Sequence, residues 1–466
     1  YDETADDGAG WSYEYDQVGR LARITDPEGT VRKRYIYDLH GNITKLINAA
    51  GYLLGETDEE RPGELYRYNG MGWLTESRKP VRTGEDGTVY YQLTQYRYDL
   101  SGNMTREIRY RDYQTETGER GAVHTITYEY DRNNRRARVS DSTGASVEYR
   151  YDSANRRISE KRKINDTTEQ TYAYAYDGAG RLAQVRQSAD EEGCGRRMAV
   201  TSYEYDHNGN LVKVRLPYGG EVRREYDGAD RLAAETHVEK ATGIENTTRF
   251  TYDKGGNLTA VTDNRGNTVR IEYNLMDQEV RRTERDGGTT RRLYDRNGRL
   301  ARLVRPNEYH RLGEQAHGEQ YAYDLLGRLQ EVTRPDGVLQ ARHTYNAWGY
   351  LASTTDACGS GIRFTYDIGG RRTRAMTSAG SAQQYEYDAA GNITGVTDGG
   401  AHRTGYELDE WGRIVEIKRP DGGSEFYRYD YAGNITGTVD GEGNTTRYEY
   451  GANGQLLRMT DPLGNA

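Results

Sequence analysis

One seven-residue pattern, Tyr-Asp-x-x-Gly-(Arg or Asn)-(Leu or Ile), recurs along the whole chain, and fixed-period self-similarity of this kind leaves few folds open. It begins at Tyr15, Tyr37, Tyr98 (with Met104 in the last place), Tyr176, Tyr205, Tyr252, Tyr294, Tyr323, Tyr387 and Tyr429, with looser copies at Tyr68, Tyr130, Tyr151, Tyr226, Tyr273, Tyr345, Tyr366, Leu408 and Tyr450. These 19 units cover nearly all of the 466 residues, and nine of the 18 intervals between successive starts are 21 residues long. Residues 1–466 therefore read as one repeat array with a modal period of 21, not as the several domains that length alone would suggest.

Each unit reads as a β-hairpin. The residues before the motif alternate aromatic and charged, as in Tyr66-Arg67-Tyr68, Tyr128-Glu129-Tyr130 and Tyr448-Glu449-Tyr450, which is the period of a half-buried strand. Asp-x-x-Gly is turn chemistry: the carboxylate accepts from backbone amides just ahead of it, and glycine takes the left-handed position of a bulged hairpin turn. A second strand follows, for example Leu258 to Thr262, and closes at another turn such as Asp26-Pro27-Glu28-Gly29 or Asp440-Gly441-Glu442-Gly443. Two strands and two turns fill 21 residues and leave no room for a helix. Seven longer intervals carry their excess in polar stretches, among them Leu53 to Glu64, Arg111 to His124, Ser188 to Met198 and Pro306 to Gly318, read as longer hairpin loops.

Composition decides whether such a chain folds. It is poor in aliphatic residues and 29% charged, a profile that elsewhere signals disorder. Here 64 basic residues nearly balance 73 acidic ones for a net charge of −9, and 42 tyrosines against three phenylalanines supply large rings that also carry a hydroxyl. The mildly acidic balance with no basic block gives no footprint for nucleic acid, and no apolar run is long enough to span a membrane. The chain opens at Tyr1-Asp2 and stops within a motif near Asp461, so it is expected to be an internal part of a larger protein. Cys194 and Cys358 stand far apart and form neither a disulfide framework nor a zinc motif.

No constellation in the sequence carries catalysis, a cofactor or a metal. The recurrent Asp reads as a turn cap, since one acidic residue per turn is too few oxygens for a hard cation. His310 and His317, the nearest histidine pair, sit in a polar insertion without a third ligand. Asn-x-Thr triplets at Asn42, Asn103, Asn257, Asn392 and Asn434 come with the repeat itself and are read as structural. Tyrosine rows, with Trp11, Trp73, Trp348 and Trp411, admit two readings: a packing ladder between successive hairpins, which is favoured, or an aromatic platform for cell-surface glycans.

The Tyr-Asp-x-x-Gly-Arg/Asn-Leu unit, the Asp-Pro-x-Gly turn and the spacing near 21 resemble the YD repeats, also called Rhs repeats, of bacterial Rhs and wall-associated polymorphic toxins, the Tc toxin BC component and the teneurins. The resemblance covers roughly residues 11 to 466, with Asn69, Asn274 and Asn346 in place of the motif Asp, Leu408 in place of the Tyr and Gly451 in place of an Asp. It implies an all-β ribbon of hairpins in one continuous sheet, wound spirally into a hollow shell or part of one, that encloses a C-terminal toxin and helps deliver it between bacteria. It also implies a secreted or cell-surface protein whose own contribution is not enzymatic. Family toxins carry an aspartate pair for self-cleavage after the last repeat. No segment here matches that region, so toxic or autoproteolytic activity is expected outside this sequence. The competing expectation is a secreted or cell-surface carbohydrate-binding adhesin using the tyrosine rows.

Physics supports the coil independently. About 38 strands at about 4.8 Å make a ribbon on the order of 180 Å long, or about one circuit of a tube roughly 60 Å across. Open twisted sheets of that size curl, and stacked turns are expected to cover otherwise unpaired strands.

Overall fold

The computed structural model describes residues 10–110, 123–164, 166, 169–190, 197–217, 219–240, 242–451 and 454–465. They form one 38-stranded sheet, from β1 (Ser12–Tyr15) to β38 (Leu456–Thr460), in which every strand pairs antiparallel with the next. The odd-numbered strands end on the 19 motif positions, Tyr15 through Tyr450, so each repeat is one hairpin and the hairpins are numbered 1 to 19 accordingly. Motif turns lie within hairpins and form one rim of the ribbon. The turns between hairpins form the other, far rim.

Each hairpin carries a bulge beside its motif residue. In hairpin 1, Glu14 faces Arg23 while Tyr15 faces Leu21, and the same shift recurs at Tyr205 against Leu211 and Tyr429 against Ile435. Repeated bulges bend and twist every hairpin in one sense, which coils a long ribbon. One sheet face carries the tyrosines. The other carries cross-strand charge pairs such as Glu14 with Arg23 and Glu407 with Lys418. Individually such exposed pairs contribute about 0 to 1 kcal/mol.

The Pro306 to Gly318 insertion departs from the loop reading, and a one-turn helix precedes the Leu53 to Glu64 loop. Asn48 caps a one-turn helix, α1 (Ala49–Tyr52), by accepting from the Gly51 amide at 2.8 Å, and Pro306 opens α2 (Pro306–Leu312) at a position where its missing N–H costs nothing. Ile47 and Val304, the large side chains most completely buried among the described residues, immediately precede these helices. A single-layer wall has no second sheet to cover it, so the insertions supply small local cores, each buried Ile or Val being worth about 1.5 to 3 kcal/mol. The stretches Arg111–His124 and Ser188–Met198 lie largely outside the described residues, as does Cys194.

The expected circuit is also corrected. The far turn after hairpin 1 meets hairpins 13 and 14, that after hairpin 3 meets hairpin 15, that after hairpin 5 meets hairpin 17, and that after hairpin 6 meets hairpin 18. The offset stays near 12, so a circuit takes about 24 strands, about 115 Å around and 37 Å across on flat strand spacing. Nineteen hairpins therefore make about one and a half turns of a narrower spiral. Opposite walls stand much farther apart than the roughly 10 Å of packed sheets, so the coil surrounds a space. The sheet is unclosed. Its circuits touch turn to turn, so stacking covers rims and not strands, and the unpaired strand edges are those of β1 and β38.

Candidate functional site

The chemistry of this chain is concentrated on the motif rim, and the turn at hairpin 7 shows how it is built. Asp177 N–H donates to the Arg181 carbonyl at 2.9 Å and Gly180 N–H to the Asp177 carbonyl at 3.0 Å, a closure that places Gly180 at φ +82°. Asp177 Oδ1 accepts from the Ala179 and Arg181 amides, both at 2.9 Å, and its Oδ2 accepts from Arg181 Nε at 2.8 Å. The Arg181 amide bond, then its guanidinium, hold the Asp177 carboxyl below the usual carboxylate range. This is the turn cap read from the sequence. Asn69 does the same work, its Oδ1 accepting from the Met71 and Trp73 amides at 3.0 Å, which explains why Asn is tolerated there.

The same residues join each hairpin to the next. Arg181 Nη1 donates to the Asp206 carbonyl at 3.0 Å and its guanidinium lies 4.7 Å from the centre of the Tyr205 ring. The Tyr205 hydroxyl donates back to the Leu182 carbonyl at 2.9 Å, at the bulge of hairpin 7. Among the described residues sixteen motif tyrosines make this bond to the preceding hairpin. Burial pushes the Tyr205 phenol upward, keeping it a protonated donor. Where Asn replaces Arg it also reaches forward: Asn210 Nδ2 donates to Asp206 Oδ2 at 3.0 Å and to Asp230 Oδ1 at 2.8 Å. At about 0.5 to 1.5 kcal/mol per hydrogen bond and about 0.5 to 1 kcal/mol per exposed cation–π contact, the ties are modest singly and repeat along the rim. Sequence reading anticipated the ladder but missed the hydroxyl's partner. The 42 tyrosines against three phenylalanines were its signal.

A second arrangement, the seam where circuits meet, was not legible in the repeat. Arg328 pairs with Glu28 at 3.2 Å, and Arg371 Nη2 donates to the Val81 carbonyl at 2.8 Å while its Nε holds Asp367 at 2.7 Å. Trp411 Nε1 donates to Thr143 Oγ1 at 3.2 Å and its ring lies 4.8 Å from that of buried His124. Tyr431 N–H donates to the Ile164 carbonyl at 2.9 Å and its hydroxyl to Asp166 at 3.1 Å. Cavities of about 490 and 180 Å³ remain along this line, the larger between Lys163 and Tyr172 on one side and Trp411 and Tyr431 on the other.

Other residues singled out in the sequence are not gathered into a site. Trp73 lies tilted against Tyr98, Trp348 meets Tyr350 edge-on and Trp411 lies in the seam, each in a different motif turn, while Trp11 precedes β1. The rings of many motif tyrosines already carry an arginine, which leaves them poorly suited to a sugar platform. His310, in α2, and His317 are exposed, and among the described residues no three His, Cys, Asp or Glu side chains come together to hold a metal. Asn42, Asn103, Asn257, Asn392 and Asn434 spend their side-chain amides on Asp38, Asp99, Asp253, Asp388 and Asp430 at 2.8 to 3.1 Å. Cys358 is a free, exposed thiol in a far turn. No helix among the described residues is long and apolar enough to cross a membrane.

Comparison with known proteins agrees with this geometry. The RHS repeat profile matches residues 15–53, 387–424 and 429–466, and the teneurin YD-shell profile matches residues 221–374. The chain is 26% identical over 372 residues to the probable deoxyribonuclease RhsB of Dickeya dadantii (78% of this chain, 22% of RhsB) and 24% identical over 276 residues to Mus musculus teneurin-4 (50% of this chain, 10% of teneurin-4). It thus spans between 10% and 22% of the length of these relatives. Among solved structures, TcdB2-TccC3-Cdc42 superposes with a TM-score of 0.65 at 15% identity, and the Photorhabdus luminescens Tc holotoxin pore with 0.64 at 16%. Each superposition covers 97% of this chain and 27% of the other, a likeness of fold. With its 19 motif hairpins laid edge to edge in a single coiled sheet, the chain is similar to the YD-repeat, or Rhs-repeat, proteins.

Proposed function

We propose that residues 1–466 act as one array, a wall segment of a longer exported polymorphic toxin, where they enclose a toxin domain and help deliver it to a neighbouring cell. The observation that carries this reading is the seam, with the far ends of hairpins 1, 3, 5 and 6 seated on motif turns 12 hairpins later. A ribbon stacked on itself surrounds a space, and a space is what confinement of another domain requires. In this reading the chain contributes geometry and not chemistry, since its carboxylates cap turns and its tyrosine hydroxyls bond to backbone carbonyls.

The test is limited proteolysis of the parent polypeptide with electron microscopy of the same sample. A hollow particle, with a downstream domain resistant to protease until Trp411→Ala and Tyr431→Ala open the seam, supports the reading. A downstream domain cut at the same rate with the seam intact or opened contradicts it, as does a solid particle.

A further inference from the structure

One titratable side chain in the seam does no work in the repeat. His124, on β9 (Val123–Tyr130), is 4% exposed, and its Nε2 has no hydrogen-bond partner among the described residues, a costly state for a buried nitrogen. Asp141 Oδ2 stands 3.9 Å from that nitrogen, in a side chain only 6% exposed. Asp141 Oδ1 accepts from the Thr143 amide at 2.9 Å and from the Thr143 hydroxyl at 2.6 Å. Thr143 Oγ1 accepts in turn from Trp411 Nε1, across the seam, at 3.2 Å, and the Trp411 ring lies 4.8 Å from the His124 ring. His124, Asp141, Thr143 and Trp411 therefore form a ring of contacts that passes through the seam twice and is complete but for a bond between His124 and Asp141.

We propose that these four residues are a proton-operated clasp, which holds the two circuits together more tightly as pH falls from about 8 to about 5, the range in which an imidazole ordinarily takes its proton. An imidazolium donates from Nε2 toward Asp141 and sets a cation against the Trp411 ring, two attractions that the neutral ring lacks. The other ionisable groups around it do not oppose the charge. Arg109, its cross-strand neighbour on β8 (Met104–Tyr110), is held by Glu107 at 2.7 Å, and Tyr110 is bonded to Gln95 at 3.1 Å. Glu410, from the same turn as Trp411, lines the 180 Å³ cavity beside His124, while Asp409 of that turn is held by Arg413 at 2.6 Å. Burial works against the charge, and two carboxylates and an indole ring work for it. When the seam opens, Trp411 and Glu410 leave and water screens what remains between His124 and Asp141. The favourable partners are complete in the closed state alone, so acid favours closure. The inference rests on the seam geometry and is independent of what the coil encloses.

Hydrogen exchange of the purified chain between about pH 8 and about pH 5, expressed as protection over the intrinsic rate at each pH, tests it. In the wild type the turn carrying Trp411, and the Tyr431 amide that bonds across the seam to the Ile164 carbonyl, are expected to gain about tenfold in protection toward acid. The motif turn of hairpin 10, outside these contacts, is expected to change less than about twofold. His124→Gln, which cannot take the proton, is expected to hold the seam level to within about twofold, and Asp141→Asn, which still caps its turn, to keep less than about half of the gain. Trp411→Phe loses the bond to Thr143 but keeps a ring, and is expected to lower protection at every pH while still rising toward acid, which separates the clasp from loss of packing. Circular dichroism confirms that each variant remains folded. A wild-type seam whose protection stays level or falls toward acid overturns the proposal. So does an undiminished gain in either His124→Gln or Asp141→Asn, which would assign the proton to another group.

Discussion

The two rims of the ribbon are made of the same number of turns per circuit, and many of those turns close in the same way, yet they differ in which residue opens the turn and in how firmly neighbours are tied. On the motif rim almost every turn opens with Asp or Asn and is tied to its successor by Arg or Asn. On the far rim Asp opens some turns, at Asp26, Asp141, Asp263, Asp356, Asp398 and Asp440, but Gly84, Leu216, Glu239, Glu284, Arg334, Thr377 or Arg419 opens others, and ties between neighbours are sparse. Both helix-forming insertions fall between hairpins, on the far rim. One rim therefore sets the spacing and direction of the hairpins, and the other is free to vary. The recurring motif is confined to one side of each hairpin because the bonds between hairpins are made there.

The largest expected contrast uses one glycine from each rim. Gly370 and Gly337 share nearly the same left-handed backbone, at φ +83° and +81°. A Cβ on Gly370 would run into Tyr350, whereas one on Gly337 meets nothing within 4 Å. Gly337→Ala should cost about 1 to 2 kcal/mol from backbone strain, and Gly370→Ala about 3 kcal/mol or more once the clash is added. Hydrogen exchange at hairpins 13 to 15 reads both, and equal losses would remove the distinction between these two turns.

Arginines give the next contrast. Arg371 holds Asp367, the Asp388 carbonyl at 2.6 Å and, across the seam, the Val81 carbonyl. Arg334, on the far rim, pairs with exposed Asp336 at 3.1 Å. Arg371→Ala is expected to cost about 2 to 3 kcal/mol from lost charge-assisted bonds, and Arg334→Ala less than about 0.5 kcal/mol, by thermal unfolding. A smaller effect separates two tyrosines of one strand. Tyr205→Phe loses the bond to Leu182 and should cost about 1 kcal/mol, while Tyr203→Phe should cost less than half of that.

Much of this was open to sequence reading, and the failures share a cause. Strand number, motif turns and the Asn-for-Asp exchanges follow from residues within one repeat, such as Asp177 and Gly180, whose partners lie four positions away or fewer. Circuit length did not follow, because it depends on the bend at each bulge summed over 12 hairpins. The seam did not follow either, since Trp411 and Thr143 are 268 residues apart. α1 and α2 did leave local signals, Asn48 at a cap and Pro306 at a first turn, but the 21-residue period outweighed them.

Acid gives the smallest expected effect per site. Hydrogen bonding from the Arg231 side chain, then its amide, lowers Asp227 to about 2 from an ordinary 3.8. A depressed carboxylate stabilises fully above its unfolded value, and that contribution fades as pH falls from about 4 through about 2. Amides of hairpin 9 should lose protection across that window. In Asp227→Asn, which keeps an acceptor but cannot titrate, the local dependence should flatten, and an equally steep loss there would assign the acid response elsewhere.

The spiral itself is tested most directly by one distance. With Cys194 and Cys358 replaced by serine, spin labels at Ser142→Cys and Glu410→Cys report on hairpins 5 and 17, which meet in the seam through Thr143 and Trp411. A circuit of 12 hairpins predicts a label separation within about 25 Å, whereas an uncoiled ribbon would hold the same positions roughly 115 Å apart and give no short distance. A dominant short separation is the result the account requires, and its absence in the folded chain would contradict it.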